Sequence, residues 1–131
     1  MAVAIALIFA GCSVDKDAGK AQAGVAMVHT AFSAGDFGSV YDRSAPDMKS
    51  SISRDDFVKT FSGVYSKTGP YRSGKTTGWK VNYGTDGNYI VLNHDAKFQN
   101  GTGKEEFVFR VKDGQALLAG YHVKTDVPVT P

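Results

Sequence analysis

Three histidines, His29, His94 and His122, six tyrosines and one cysteine are the residues of this 131-residue chain best suited to acid/base work, metal ligation or covalent modification. No histidine stands at a metal-ligand spacing from another histidine or from a carboxylate, so the sequence predicts no metal site and no cofactor. His94 is set apart by alternation. It shares the apolar side of a strand pattern with Ile90, Leu92 and Phe98, where an imidazole needs a hydrogen-bond partner or a cavity. Tyr121 falls on the inward side of a later strand pattern with Leu117, Ala119 and Val123. With Tyr65 and Trp79, two more aromatic side chains with polar tips, they make a candidate pocket of Tyr65, Trp79, His94 and Tyr121. A tyrosine beside a histidine can move protons. The alternation places no carboxylate with them, so no catalytic residue is assigned, and a histidine hydrogen-bonded within the core is the simpler reading.

Two motifs lose their usual meaning in context. Residues 69–76, GPYRSGKT, match the phosphate-loop pattern G-x-x-x-x-G-K-[ST]. That chemistry needs a buried strand before the loop and a helix after it, so that amide groups and the helix dipole meet the phosphates. Here a helical pattern precedes and an alternating strand follows. A basic turn leading into a strand is expected, with no nucleotide as partner. Asn100-Gly101-Thr102 has the form of a glycosylation sequon and the composition of a hairpin turn, and is read as the turn.

Residues 1–12, MAVAIALIFAGC, carry no charge and end at the only cysteine. The run is shorter than the about 20 apolar residues of a spanning helix and suits the apolar core of a secretory signal. Phe9-Ala10-Gly11-Cys12 resembles a bacterial lipobox, in which small residues precede a cysteine that is acylated and becomes the mature N-terminus. Cys12 is therefore the predicted lipidation site, with palmitate-type chains as the membrane anchor. Ser13 follows it where lipoproteins kept in the inner membrane often carry Asp. The expected address is a bacterial envelope, at the outer membrane and facing the periplasm.

Lys and Arg total 15 against 13 Asp and Glu, a formal charge of +2, too even to mark a nucleic-acid binder. With 42% hydrophobic residues the chain can bury one core, and a single cysteine excludes an internal disulfide or a cysteine metal cluster. Residues 13–17 read as a polar tether, residues 18–125 as one domain and residues 126–131 as a tail. Ala21, Val25, Val28 and Phe32 recur at helical spacing, predicting a helix capped by Asp17 and ended at Gly35. Asp36 opens a short second helix with Phe37, Val40 and Tyr41 inward, stopped by Pro46. Ser53 caps a third, with Ile52 and Phe57 as a staple and Phe61, Val64 and Tyr65 along its face.

From Trp79 onward the period changes to two. Trp79, Val81 and Tyr83, then residues 89–98, then Phe107, Phe109 and Val111, then residues 117–123 read as strands. The turn chemistry between them, Asp86-Gly87, residues 100–103 and Asp113-Gly114, pairs neighbours antiparallel. Trp79, Tyr83, Phe107 and Phe109 are expected in the core. The fold class is α+β, N-terminal helices packed on a four-stranded antiparallel meander sheet.

This order of elements resembles the cystatin-like and nuclear-transport-factor-2-like folds. The chain is also similar to a family of small bacterial envelope lipoproteins of unknown function. The likeness lies in Ala34-Gly35-Asp36-Phe37 with Tyr41 and Ser44, and in Ile52-Ser53-Arg54-Asp55-Asp56-Phe57. It continues through Gly69 with Arg72, Glu105 or Glu106, Asp113-Gly114 and Gly120-Tyr121. It implies a non-catalytic binding or structural module tethered by lipid, with the membrane and an envelope protein as partners. Two other classes stay open: a small-molecule-binding or enzymatic cone using His94 and Tyr121, and an inhibitor or immunity module docking a protein.

Overall fold

The computed structural model describes residues 2–85 and 87–128, with side chains from Lys16 onward. Among the described residues four helices precede four strands: α1 (Ala2–Ser33), α2 (Phe37–Asp42), α3 (Pro46–Ser51), α4 (Arg54–Thr68), β1 (Tyr71–Gly84), β2 (Gly87–Phe98), β3 (Gly101–Lys112) and β4 (Gln115–Asp126). The strands pair antiparallel in the order β1-β2-β3-β4. This is the α+β meander that the hairpin turns call for.

The helical stripe Ala21, Val25, Val28 and Phe32 is buried, as are Ile90, Leu92, Phe107 and Phe109 on the inner face of the middle strands. Gly24 lets the helix come this close, since a Cβ there would meet Phe109 Cζ at 2.8 Å. The stripe ends in a Schellman turn: Asp36 N–H donates to Ala31 O at 2.8 Å and Gly35 N–H to Phe32 O at 3.0 Å, with Gly35 at φ 75°. That left-handed backbone suits glycine. At the start of α4 the Ser53 hydroxyl accepts from Asp56 N–H at 3.1 Å. Phe57 and Phe61 then stack at 4.3 Å beneath α2.

Several expectations are corrected. Residues 13–17 are helical rather than a tether, and Asp17 lies within α1 instead of capping it. They hold neither proline nor glycine, so nothing in them breaks a helix. The side chain of Cys12, the expected lipid site, lies outside the described residues. Pro46 stops α2 but also serves as the first residue of α3, an element the periodicity did not announce, because a proline needs no partner for its nitrogen at a helix start. In β4 a bulge opposite Val108 and Phe109 shifts the phase. Leu118, not Leu117 or Ala119, therefore joins Tyr121 on the inner face.

Trp79 and Tyr83 are 45% and 72% exposed rather than core. Strand β1 is an edge with β2 on one side only, and α1 closes over the middle strands. The opposite edge is covered: Ala45 N–H, just before α3, donates to Leu118 O at 2.8 Å. Among the described residues no helix is long and apolar enough to cross a membrane.

The cap gives a direct check on this local structure. Ser53→Ala leaves an amide of the first turn without its acceptor and is expected to lower stability by about 1 kcal/mol. The measurement is the midpoint of urea denaturation, and an unchanged midpoint contradicts the cap.

Candidate functional site

On the inner face, cross-strand pairing lines up Thr76 of β1, His94 of β2 and Glu105 of β3 in one row. Alternation puts Glu105 inward two residues before Phe107, and it is 3% exposed. His29 comes down onto it from α1, one turn after Val25, so both belong to the stripe that the helix presents to the sheet. His29 Nε2 stands 2.7 Å from Glu105 Oε1. A carboxylate only accepts, so that nitrogen carries the proton and donates it. Tyr121 of β4 donates its hydroxyl to Glu105 Oε2. Both oxygens of the buried carboxyl group are thereby held, which offsets part of the cost of removing it from water.

A second chain of contacts runs beside the first. Tyr71 stacks on His29 with ring centroids 3.6 Å apart and planes within 8°, and its hydroxyl lies 3.0 Å from His94 Nε2. Thr76 donates its hydroxyl to Gln22 Oε1 at 3.0 Å and lies 3.4 Å from His94 Nδ1. One proton assignment satisfies every partner: Tyr71 O–H to His94 Nε2, His94 Nδ1–H to Thr76, and Thr76 O–H to Gln22. His94 is then neutral. Burial holds its pKa below the ordinary 6.5, the nearby His29 ring acts the same way, and Glu105 and Asp95 oppose them. Burial and the negative charge of Glu105 push the Tyr71 hydroxyl up. Tyr121 is pushed far up, by burial first, then by the charge of Glu105 and the hydrogen bond to it.

Gly74 leaves the room this needs. A Cβ there would meet His94 Nε2 at 2.6 Å and Tyr71 Oη at 2.7 Å. The cluster opens to solvent through a groove of about 530 Å³ between α1 and β1, whose walls include Gln22, Thr30, Tyr71 and His94. A larger concavity, about 930 Å³, is bordered by the outward lysines Lys75, Lys97, Lys104 and Lys124. Those charges are solvated, and Lys104 pairs with Asp95 at 3.7 Å.

Of the four residues expected to share a pocket, the structure joins two. His94 and Tyr121 both lie at Glu105, one as its cross-strand neighbour and one as its hydrogen-bond donor. Tyr65 instead packs on Phe32 and Phe37, at 5.3 and 6.0 Å between centroids, and Trp79 stands on the open edge strand. Sequence reasoning missed His29, Tyr71 and Glu105. Two of these were within reach, since the stripe through Val25 extends to His29 and the alternation of Phe107 and Phe109 extends back to Glu105. The apparent phosphate loop does not form a loop: Gly74, Lys75 and Thr76 are extended and paired with Ala96, Asp95 and His94. No helix N-terminus follows to meet a phosphate. No protein-family model matches the chain, and no curated protein matches it.

Removing the shared acceptor tests the cluster. Glu105→Ala strands the His29 and Tyr121 donors and is expected to cost about 3 to 5 kcal/mol, read from chemical denaturation. Acidity tests His94. Its pKa is depressed in the folded state, so the unfolded chain binds the proton first; the stability this represents is complete above about pH 6.5 and is lost as pH falls through the folded value. Wild type is therefore expected to lose more stability than His94→Gln on acidification from about pH 7.5 to about pH 5. Parallel losses in the two proteins contradict it.

Proposed function

We propose that the chain is a lipid-anchored lipoprotein of a bacterial envelope, tethered through Cys12 and facing the periplasm, whose α+β domain is a non-catalytic binding module. The observation that carries the binding half is the position of Glu105. A carboxyl group only 3% exposed is bonded to His29, which together with His94 lines an open groove. Burying a hydrogen-bonded carboxyl group gains little stability, since apolar replacements of buried polar pairs are often neutral or better. A recognition site has a use for such a group. The anchoring half is supported by the uncharged run that ends at the only cysteine. Acyl chains there make a membrane-binding face on the domain unnecessary.

Each half has its own assay. Expressed in a bacterial host, the protein is expected to take up a clickable fatty acid and sediment with membranes. Cys12→Ser is expected to lose both properties, and label that persists in that variant overturns the anchor. A thermal-shift screen of small organic molecules is expected to give hits with wild type that His94→Gln loses; hits indifferent to His94 overturn the groove as the binding site.

A further inference from the structure

We infer that His29, His94 and Glu105 form a binding site for a divalent first-row transition cation, with zinc the best match. This rests on the groove being the recognition site and names its ligand. The three residues come from α1, β2 and β3, all are buried, and one donor atom from each lies within 4.8 Å of the other two. Two imidazole nitrogens and one carboxylate oxygen suit zinc and its neighbours. Magnesium and calcium, which prefer shells built from oxygen, are poorly served by them.

The geometry needs small movements. Bonds of about 2.0 to 2.2 Å in a tetrahedral site hold donor atoms about 3.3 Å apart. His29 Nε2 and Glu105 Oε1 stand at 2.7 Å, closer than that because a proton lies between them. The cation takes the place of this proton, which leaves to solvent as the two donors separate by about half an ångström. The widest donor pair closes by up to about 1.5 Å, within the reach of side-chain rotation. One nitrogen of His94 is already committed: its Nδ1–H is engaged by Thr76, itself bonded to Gln22. Its Nε2 offers a lone pair once the Tyr71 hydroxyl turns aside. The second oxygen of Glu105 is fixed by Tyr121. Such outer contacts orient ligands in metal sites. The fourth position faces the groove beside Tyr71, where water can complete the shell.

The test uses the untagged full chain in detergent, stripped with a chelator, and titrates zinc chloride by calorimetry. One site per chain at micromolar affinity or tighter is expected, with no saturable heat from magnesium or calcium. Glu105→Gln and His94→Gln should each weaken zinc by about 100-fold or more. If Glu105→Gln fails to give a native circular dichroism spectrum, His94→Gln, which lines the open groove, carries the test. His122→Ala, on the outer face of the sheet, should change nothing. Cobalt(II) should give the visible absorption of a tetrahedral site, and His94→Gln should abolish it. Absence of saturable zinc heat from folded wild type overturns the inference, as does binding that depends on His122 rather than His94. If zinc fails while organic molecules still give shifts that depend on His94, the metal falls and the binding module stands. Silence in both assays overturns both.

Discussion

A carboxyl group enclosed between a helix and a sheet is the constraint on which this architecture turns. Left alone in an apolar core, Glu105 is untenable, because the cost of removing a carboxylate from water is far larger than the stability of a small domain. It survives where His29 and Tyr121 supply donors to both oxygens. Those donors arrive from opposite sides, one from α1 and one from β4. The helix must therefore cross the sheet with the His29 turn directly over β3, close enough for a 2.7 Å contact. Gly24 and the Schellman turn at Gly35 set that height and that stopping point. Tyr71 then fits as a lid on the imidazole, its backbone N–H donating to Ser33 Oγ at 3.1 Å, which ties the end of α1 to the start of β1.

The C-terminal end of the same stripe is held in a different way. Around Phe32 gather Phe37, Phe61, Tyr65 and Phe98, with centroids 5.3 to 6.2 Å away in tilted and edge-on arrangements. This aromatic packing adds close, dense contact to the end of α1 that Ser33 also ties to β1. The sheet is equally asymmetric. The chain before α3 covers β4, whereas β1 keeps an open edge on which Trp79 and Tyr83 are exposed. The groove lies on the open side, where the contents of the site can exchange with solvent.

The division between what the sequence made legible and what it hid follows from the range of the forces involved. Caps, turns and alternation are local. Ser53, Gly35 and the three hairpin turns therefore announced α4, the end of α1 and the order of the sheet without reference to anything distant. The site depends on contacts between residues 76 positions apart, His29 and Glu105, and no spacing rule links them. Periodicity did carry their orientation, since both lie on inward stripes. The reading stopped at Phe107 because a glutamate next to an apolar run is ordinarily outside. The phase of β4 was lost at a bulge, which alternation alone cannot register. Trp79 was misjudged because alternation gives the face of a strand but not how far a helix covers it.

The direction of the protons narrows what such a site can bind. Tyr71, His94 and Thr76 each donate toward the next group, the chain ending on Gln22, and Tyr121 and His29 donate to Glu105. Both phenols are pushed up and stay protonated, and His94 is held neutral. What the cluster can offer an incoming ligand is electron pairs, from the imidazoles once their hydrogen bonds are exchanged and from the carboxylate already negative at its centre. Such electron pairs suit cations or strong hydrogen-bond donors better than anions. The G-x-x-x-x-G-K-[ST] stretch, extended along β1 with Lys75 outward and Thr76 inward, takes its place in the site through the Gly74 hydrogen that admits His94 and the Thr76 hydroxyl that holds it.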